Sequence, residues 1–385
     1  MKVEDRNSGV KAIKVSVIQN GRTVVVLEQQ NLNQRSVYLN IPILPQKLGL
    51  VEGGATLKVK VSNGSWIRRH SMYEKAVRID FTPPVISIVN WTKSIMNGGT
   101  GFIFFKSSEP LAEKLVKVGK HSFRCLEFSY GYICPFTFPY FETEQLPINL
   151  QVKDLADNIL VRNLPYSFKK IDYANSTLTI DDNFIESEIT TISDKEIQDK
   201  TQLFKYVNVD IRKRNEDTIH RVSSECKNRD PLFEGQFSYL ENSAKLGGFA
   251  DYRKYSYKGR IIEGADAYHK GLDFASTRNA PVKASNRGEV VFTGFLGIYG
   301  NSVIVDHGLC VYSIYSHLDE IYVKMGQMVD KSTVIGKTGT TGLAVGDHLH
   351  YGILVNGIEV NPIEWFDKKW LETRFYSPYK QLKGG

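Results

Sequence analysis

The sequence predicts a mainly β, multidomain protein, and three observations carry that prediction. Its 385 residues exceed the roughly 100–200 of an ordinary domain, so more than one core is expected. Short alternating runs of β-forming residues, bounded by Gly, Asn and Pro, recur along most of the chain. A single charge-dense stretch of helical spacing interrupts them. The composition, 42% hydrophobic and 24% charged with 20 Tyr and 20 Phe, supplies the apolar surface for packed cores and excludes wholesale disorder.

The elements follow in order. Over 1–82, β-rich runs at 13–18, 23–27, 36–39 and 57–61 are separated by Asn20-Gly21, Gly53-Gly54 and Asn63-Gly64, the pattern of an N-terminal β-rich module. Thr82-Pro83-Pro84 breaks it. A second β segment over 83–168 has the strand and turn spacing of an immunoglobulin-like sandwich. Its alternating aromatics, Phe128, Tyr130, Tyr132, Phe136, Phe138 and Tyr140, read as sandwich core ahead of a carbohydrate-binding face. If the chain turns at Ser129-Tyr130, Cys125 and Cys134 oppose each other across a hairpin, as a disulfide in an envelope compartment or as two buried thiols.

Residues 169–232 read as a helical connector. Ser193-Asp194-Lys195-Glu196 has the form of a capping box, and Ile197, Phe204, Val207, Ile211, Ile219 and Val222 recur at near-helical intervals, an apolar stripe for a neighbour. Asn228-Arg229-Asp230-Pro231 ends the pattern. Glycine-rich short strands return over 233–371, and 372–385, with Pro378 and Gly384, reads as a flexible tail.

Charge and hydropathy exclude several function classes. The net charge is +7, but 49 basic against 42 acidic residues make a mixed surface and not a basic block, so no nucleic-acid partner is expected. No stretch approaches the roughly 18 apolar residues of a spanning helix, so no transmembrane segment is expected. The opening Met1-Lys2-Val3-Glu4-Asp5-Arg6 is too polar for a signal peptide.

The histidines carry the chemistry. Five of the eight, at 269, 307, 317, 348 and 350, fall within one stretch, leaving His70, His121 and His220 scattered. His269-Lys270-Gly271-Leu272-Asp273 sets a His and an Asp four apart, and Gly271 with the turn formers that follow favours strand and loop over helix. In Asp347-His348-Leu349-His350, two histidines at i and i+2 share a strand face at about 7 Å, so one can bind a metal while the other faces the metal's open side. Residues 312–318 form an alternating strand that carries His317. Two His and one Asp suit Zn²⁺ in a catalytic site, where three protein ligands leave a position for water. The set is too rich in nitrogen for Ca²⁺ or Mg²⁺. There is no HExxH, so histidine must move the proton.

Together these pieces resemble a known family. The order HxxxD, Ser316-His317-Leu318 and His348-Leu349-His350, with Gly326-Gln327-Met328-Val329 and a glycine–threonine run from Ile335 to Gly342 between them, is similar to the lysostaphin-type zinc endopeptidases, the LytM or M23 peptidase family. The likeness covers about 246–366, roughly a third of the chain. It implies a C-terminal LytM-type β catalytic domain with one zinc per chain held by His269, Asp273 and His350, and His317 and His348 as the catalytic pair beside the metal. It also implies a substrate, the peptide cross-links or stem peptides of peptidoglycan, and a location, the periplasm or cell envelope. Departures are small: Ser332 stands where glycine is common, and Tyr351-Gly352 where phenylalanine and glutamate often follow the second motif histidine, neither of them at a ligand. The regions before 233 lie outside the motif and resemble the accessory parts of Gram-negative envelope members.

A competing reading is a catalytically inactive LytM-type scaffold that binds or activates another cell-wall hydrolase. Such scaffolds lose ligands, whereas all five positions are filled here, and zinc binding by the purified chain separates the two. Among the neighbours, His307 reads as a satisfied turn histidine. Arg253 reads as a substrate contact or a structural ion pair, and Tyr315 as a cleft-lining or supporting residue.

Overall fold

The computed structural model describes residues 1–5, 7–64 and 70–384, and it is mainly β. The chain divides into two compact units, one made of 1–84 with 109–112 and 153–160, the other of the remaining segments.

The first unit is built on a four-stranded antiparallel sheet in the order Arg22–Gln29, Val10–Gln19, Gly53–Asn63, His70–Ile79. Val10, Ile13, Val15 and Val59 are buried together with Val37. The hairpin pairing Gln19 with Arg22 turns through Asn20 and Gly21, both at positive φ (49° and 76°), the left-handed backbone that two-residue turns between twisted strands require.

The second unit opens with two four-stranded antiparallel sheets. One has the order Leu126–Phe128, Gly131–Thr137, Thr100–Ser107, Ile86–Trp91; the other, in the part that belongs to this unit, has His121–Arg124, 113–118, 148–152 and 161–163. Tyr132, Phe136, Phe138 and Tyr140 are buried, and Phe128 and Tyr130 pack half-buried against the core, so the aromatic series is core. The chain does turn at Ser129-Tyr130, with Phe128 opposite Gly131, and Cys125 and Cys134 are joined as a disulfide. A second disulfide, Cys226–Cys310, spans 84 residues of sequence and has no local signature.

The connector begins as a strand, β1 (Asn175–Ile180), which pairs in parallel with Tyr252–Tyr257. Asp181 then caps one short helical segment, and Asp199, whose side chain accepts from the Gln202 N–H, caps Lys200–Lys205. That helix continues through a π-helical turn, Tyr206–Ile211, into α1 (Arg212–Ser223). The expected cap at Ser193 is not used as one. Its hydroxyl bonds within a local turn to Lys195, and the helix is capped six residues later, at Asp199. The expected stripe does form: Phe204, Val207, Ile211 and Ile219 are buried against Tyr255, Ile298, Tyr299, Ile314 and Leu354.

The C-terminal sheet runs in the order β2 (Ala244–Gly247), β3 (Leu272–Ala275), β5 (Leu349–Val355), β4 (Val311–Ile321), then Asn301–Asp306, Gly288–Phe295 and Met328–Val329. Every residue of β5 is buried, which fits its run of large side chains and its place between two neighbours. The flexible tail expected over 372–385 is corrected by the structure. The chain is helical through Gly384, and Phe375 and Leu382 are fully buried. Pro378 and Gly384 suggested breakage, but Phe375, Tyr379 and Leu382, spaced four and three apart, form the apolar stripe of a docked helix. Among the described residues no helix is long and apolar enough to cross a membrane.

Candidate metal centre

Strand register brings the separated motifs together. On β3 and β5, Asp273 lies directly opposite His350, and Ser316 of β4 lies opposite His350 on the other side. His269 sits on the approach to β3, held by a pair of backbone bonds in which the Ala250 N–H donates to its carbonyl and its own N–H donates to Asp251. His317 follows Ser316 with a left-handed backbone, φ 61°, which breaks the alternation of β4 at that residue. His348 stands just before β5, bridged to Gly339.

Three donor atoms converge. His269 Nε2 lies 2.9 Å from Asp273 Oδ1 and 2.9 Å from His350 Nδ1, and His350 Nδ1 lies 3.0 Å from Asp273 Oδ1. The His269 Nδ1–H points to the Gly248 carbonyl at 2.6 Å, which leaves Nε2 as a lone pair facing the other two donors. Two imidazole nitrogens and a carboxylate oxygen at this spacing repel one another unless a proton or a metal ion lies among them, and both residue types are Zn²⁺ ligands. The donor set therefore fits the metal that the sequence implies. Packing enforces it: a Cβ on Gly271 would meet the His350 ring at 2.7 Å and the Tyr351 carbonyl at 2.5 Å, so only glycine lets the ring sit where it does.

The two remaining histidines face the same space. His317 Nδ1 bonds to the Thr341 carbonyl at 2.7 Å and His348 Nδ1 to the Gly346 carbonyl at 2.7 Å. That leaves both Nε2 atoms free to act, and the two rings lie 4.8 Å apart, with His317 5.9 Å from His350. His348 Nε2 is 3.7 Å from Asp273 Oδ1.

Burial and charge set the protonation states. Burial, helped by His348 and His350, pushes His317 down to about 3. Burial likewise pushes His350 down to about 4, against the pull of Asp273. Burial raises the Asp273 carboxyl, but His269 and His350 outweigh it and hold it well below the usual carboxylate range. At neutral pH His350 is thus a neutral imidazole and Asp273 an ionised carboxylate, the forms that coordinate a metal.

The neighbours resolve. Arg253 donates from Nη2 to Asp273 Oδ2 and from Nε to Asp251, both at 3.2 Å, so it is an ion pair that holds a ligand. Tyr315 is buried, its hydroxyl linked to Ser285 and Ser313, and it supports the sheet without lining the cleft. His307 is buried and satisfied, bonded to the Arg287 carbonyl and Ser313.

The site opens on a cavity of about 520 Å³ whose lining includes His269, Asp273, His317, His348 and His350. Leu246 and Val345 are exposed at its edge, and Leu178, Ile180, Phe184 and Arg212 of the connector form part of its wall. Sequence reasoning missed the connector's share, because nothing in its charge-dense pattern distinguishes a cavity wall from a solvated face.

The sequence model of Peptidase family M23 matches residues 267–362, the stretch that carries all five side chains. Residues 267–362 are an M23 peptidase domain. Around this M23 domain the chain is 41% identical over 95 residues to the DD-carboxypeptidase/endopeptidase Mpg of Neisseria meningitidis, covering 25% of this chain and 22% of that protein. It is 42% identical over 98 residues to the peptidoglycan DD-endopeptidase ShyA of Vibrio cholerae, covering 26% and 23%. The matched stretch thus spans less than a quarter of those curated relatives' length. Among solved structures, a putative M23 peptidase from Pseudomonas aeruginosa aligns with a TM-score of 0.44 and 20% identity over 70% of this chain and 94% of that one.

Proposed function

We propose that the chain is a zinc-dependent endopeptidase of the periplasm or cell envelope that hydrolyses peptide cross-links or stem peptides of peptidoglycan. The observation that carries the proposal is the convergence of His269, Asp273 and His350 on one point, with the free Nε2 atoms of His317 and His348 beside it. One relative that matches this stretch is named a DD-carboxypeptidase/endopeptidase and another a peptidoglycan DD-endopeptidase, which supports the substrate class.

In this reading His269, Asp273 and His350 hold one zinc ion. Bound zinc supplies Lewis-acid polarisation of the scissile carbonyl and acidification of a water. The chain's own residues do the rest. Arg253 fixes the Asp273 carboxylate, and the Gly248 carbonyl fixes the His269 ring. Of His317 and His348, one accepts a proton at Nε2 from the attacking water, and the other, which must carry a proton at Nε2 for the step, gives it to the developing oxyanion or the departing amine; both present Nε2 because each Nδ1–H is tied to a carbonyl.

Digestion of purified peptidoglycan, followed by mass spectrometry of the released muropeptides, tests the proposal. New cleaved muropeptides that vanish on chelation and return with zinc are expected. Identical profiles with and without the protein, across pH and zinc concentration, would reject the substrate.

A further inference from the structure

We infer that Arg212 is a specificity-determining residue that binds a free carboxylate on the peptide cleaved at the metal centre, an inference that rests on the hydrolase reading above. Several charged side chains line the cavity. Arg253 is engaged by Asp251 and Asp273. Lys270 is engaged by Glu216 at 2.9 Å and Glu359 at 3.4 Å. Asp181 accepts the Phe184 N–H, and Asp347 accepts from Thr338 and the Asn279 N–H. Arg212 differs from all of them, since among the described residues no carboxylate pairs with it.

Its neighbours instead hold it in place with neutral atoms. Nε donates to the Asn208 carbonyl at 3.1 Å and Nη2 to the Asn208 side-chain oxygen. Asn208 is itself buried and anchored by its own bond to the Ala265 carbonyl at 2.6 Å. Two of the five guanidinium N–H donors are used in this way, and the rest of a fixed, uncompensated cation remains on the cavity wall. The surrounding wall is apolar, with Leu178, Ile180 and Phe184, so a charge there is poorly screened.

Its position is tied to the metal centre. Asn215, one turn along α1, accepts the Ile298 N–H at 3.0 Å and so seats the helix on the turn Gly297–Tyr299. The Tyr299 ring lies 5.7 Å from His350, and Tyr299 and Arg212 line the same cavity. A guanidinium held with donors to spare, beside a peptide-cleaving site, matches a carboxylate in a paired geometry.

Cross-linked muropeptides, native and with their free carboxylates chemically amidated, provide the test. The wild-type zinc-loaded chain should prefer the native substrate by about 10–100-fold in kcat/KM, mostly through KM. Arg212→Gln should shrink that preference to within about threefold, and Arg212→Lys should restore part of it. An Arg212→Gln chain that keeps the full preference, or a wild-type chain that shows none, overturns the inference while leaving the hydrolase reading intact. A wild-type chain that cleaves neither substrate overturns the hydrolase reading and the inference with it.

Discussion

Three backbone carbonyls decide how the histidines are used. Gly248, Thr341 and Gly346 each take an Nδ1–H, so His269, His317 and His348 all present Nε2 to the cavity, whereas His350 presents Nδ1. The identities of all five side chains were legible in the sequence, because HxxxD and HxH fix residue types at spacings that strands return to one place. The holding groups were not, since a carbonyl oxygen belongs to any residue and has no sequence signature. Arg253 was left between two roles for a similar reason, its partner Asp273 being twenty positions away. Arg253→Ala should weaken zinc binding by about 10–100-fold, read by competition with a chromogenic chelator, because the Asp273 carboxylate loses its anchor. Unchanged affinity would make the pair ornamental. Gly271→Ala should also lower zinc affinity, since the added methyl group has only the His350 ring and the Tyr351 carbonyl to displace, and metal titration that matches the wild type would contradict this.

At the scale of elements, the helical stripe of the connector was legible and its partner was not. Phe204, Val207, Ile211 and Ile219 were identified by spacing alone, but periodicity says only that a face is buried. The structure supplies the other surface, Tyr255, Tyr299, Ile314 and Leu354 of the peptidase region, and adds β1 as a parallel strand beside Tyr252–Tyr257. A fragment beginning at Phe233 would leave that surface bare, so it should be recovered as aggregate, and a soluble, cooperatively unfolding fragment would contradict the packing. Phe204→Ala in the full chain should cost about 3–5 kcal/mol in denaturant unfolding, the range for deleting a fully buried aromatic ring. The tail was misread because Pro378 and Gly384 outweighed a short stripe. Three apolar positions are too few to assign a helix from sequence, yet enough to dock one once Phe102 and Phe104 of the strand Thr100–Ser107 are in place.

For the molecule as a whole, one link within the second unit is Glu364, whose carboxylate accepts the Thr100 N–H of the strand Thr100–Ser107 at 2.8 Å. Burial pushes this carboxyl from the ordinary 4.5 up to about 7. Between those two pH values the folded chain binds more protons than the unfolded one, so this group's contribution is fully present below pH 4.5 and is lost as pH rises through about 7. Glu364→Gln keeps an acceptor without the charge, so the gap in stability between variant and wild type should widen by about 3 kcal/mol from pH 4.5 to 8, and parallel stability curves would contradict the sign. The account's central claim, that three of the five clustered residues hold a zinc ion and the other two move protons, is tested most directly by the zinc content of purified wild type, His350→Ala and His348→Ala, with turnover recorded on the same samples. The expected result is one zinc per wild-type chain, little in His350→Ala, and full zinc in His348→Ala with turnover lower by about 10²–10⁴-fold. A His348→Ala chain that loses zinc as completely as His350→Ala, or a wild type that turns over without the metal, would contradict it.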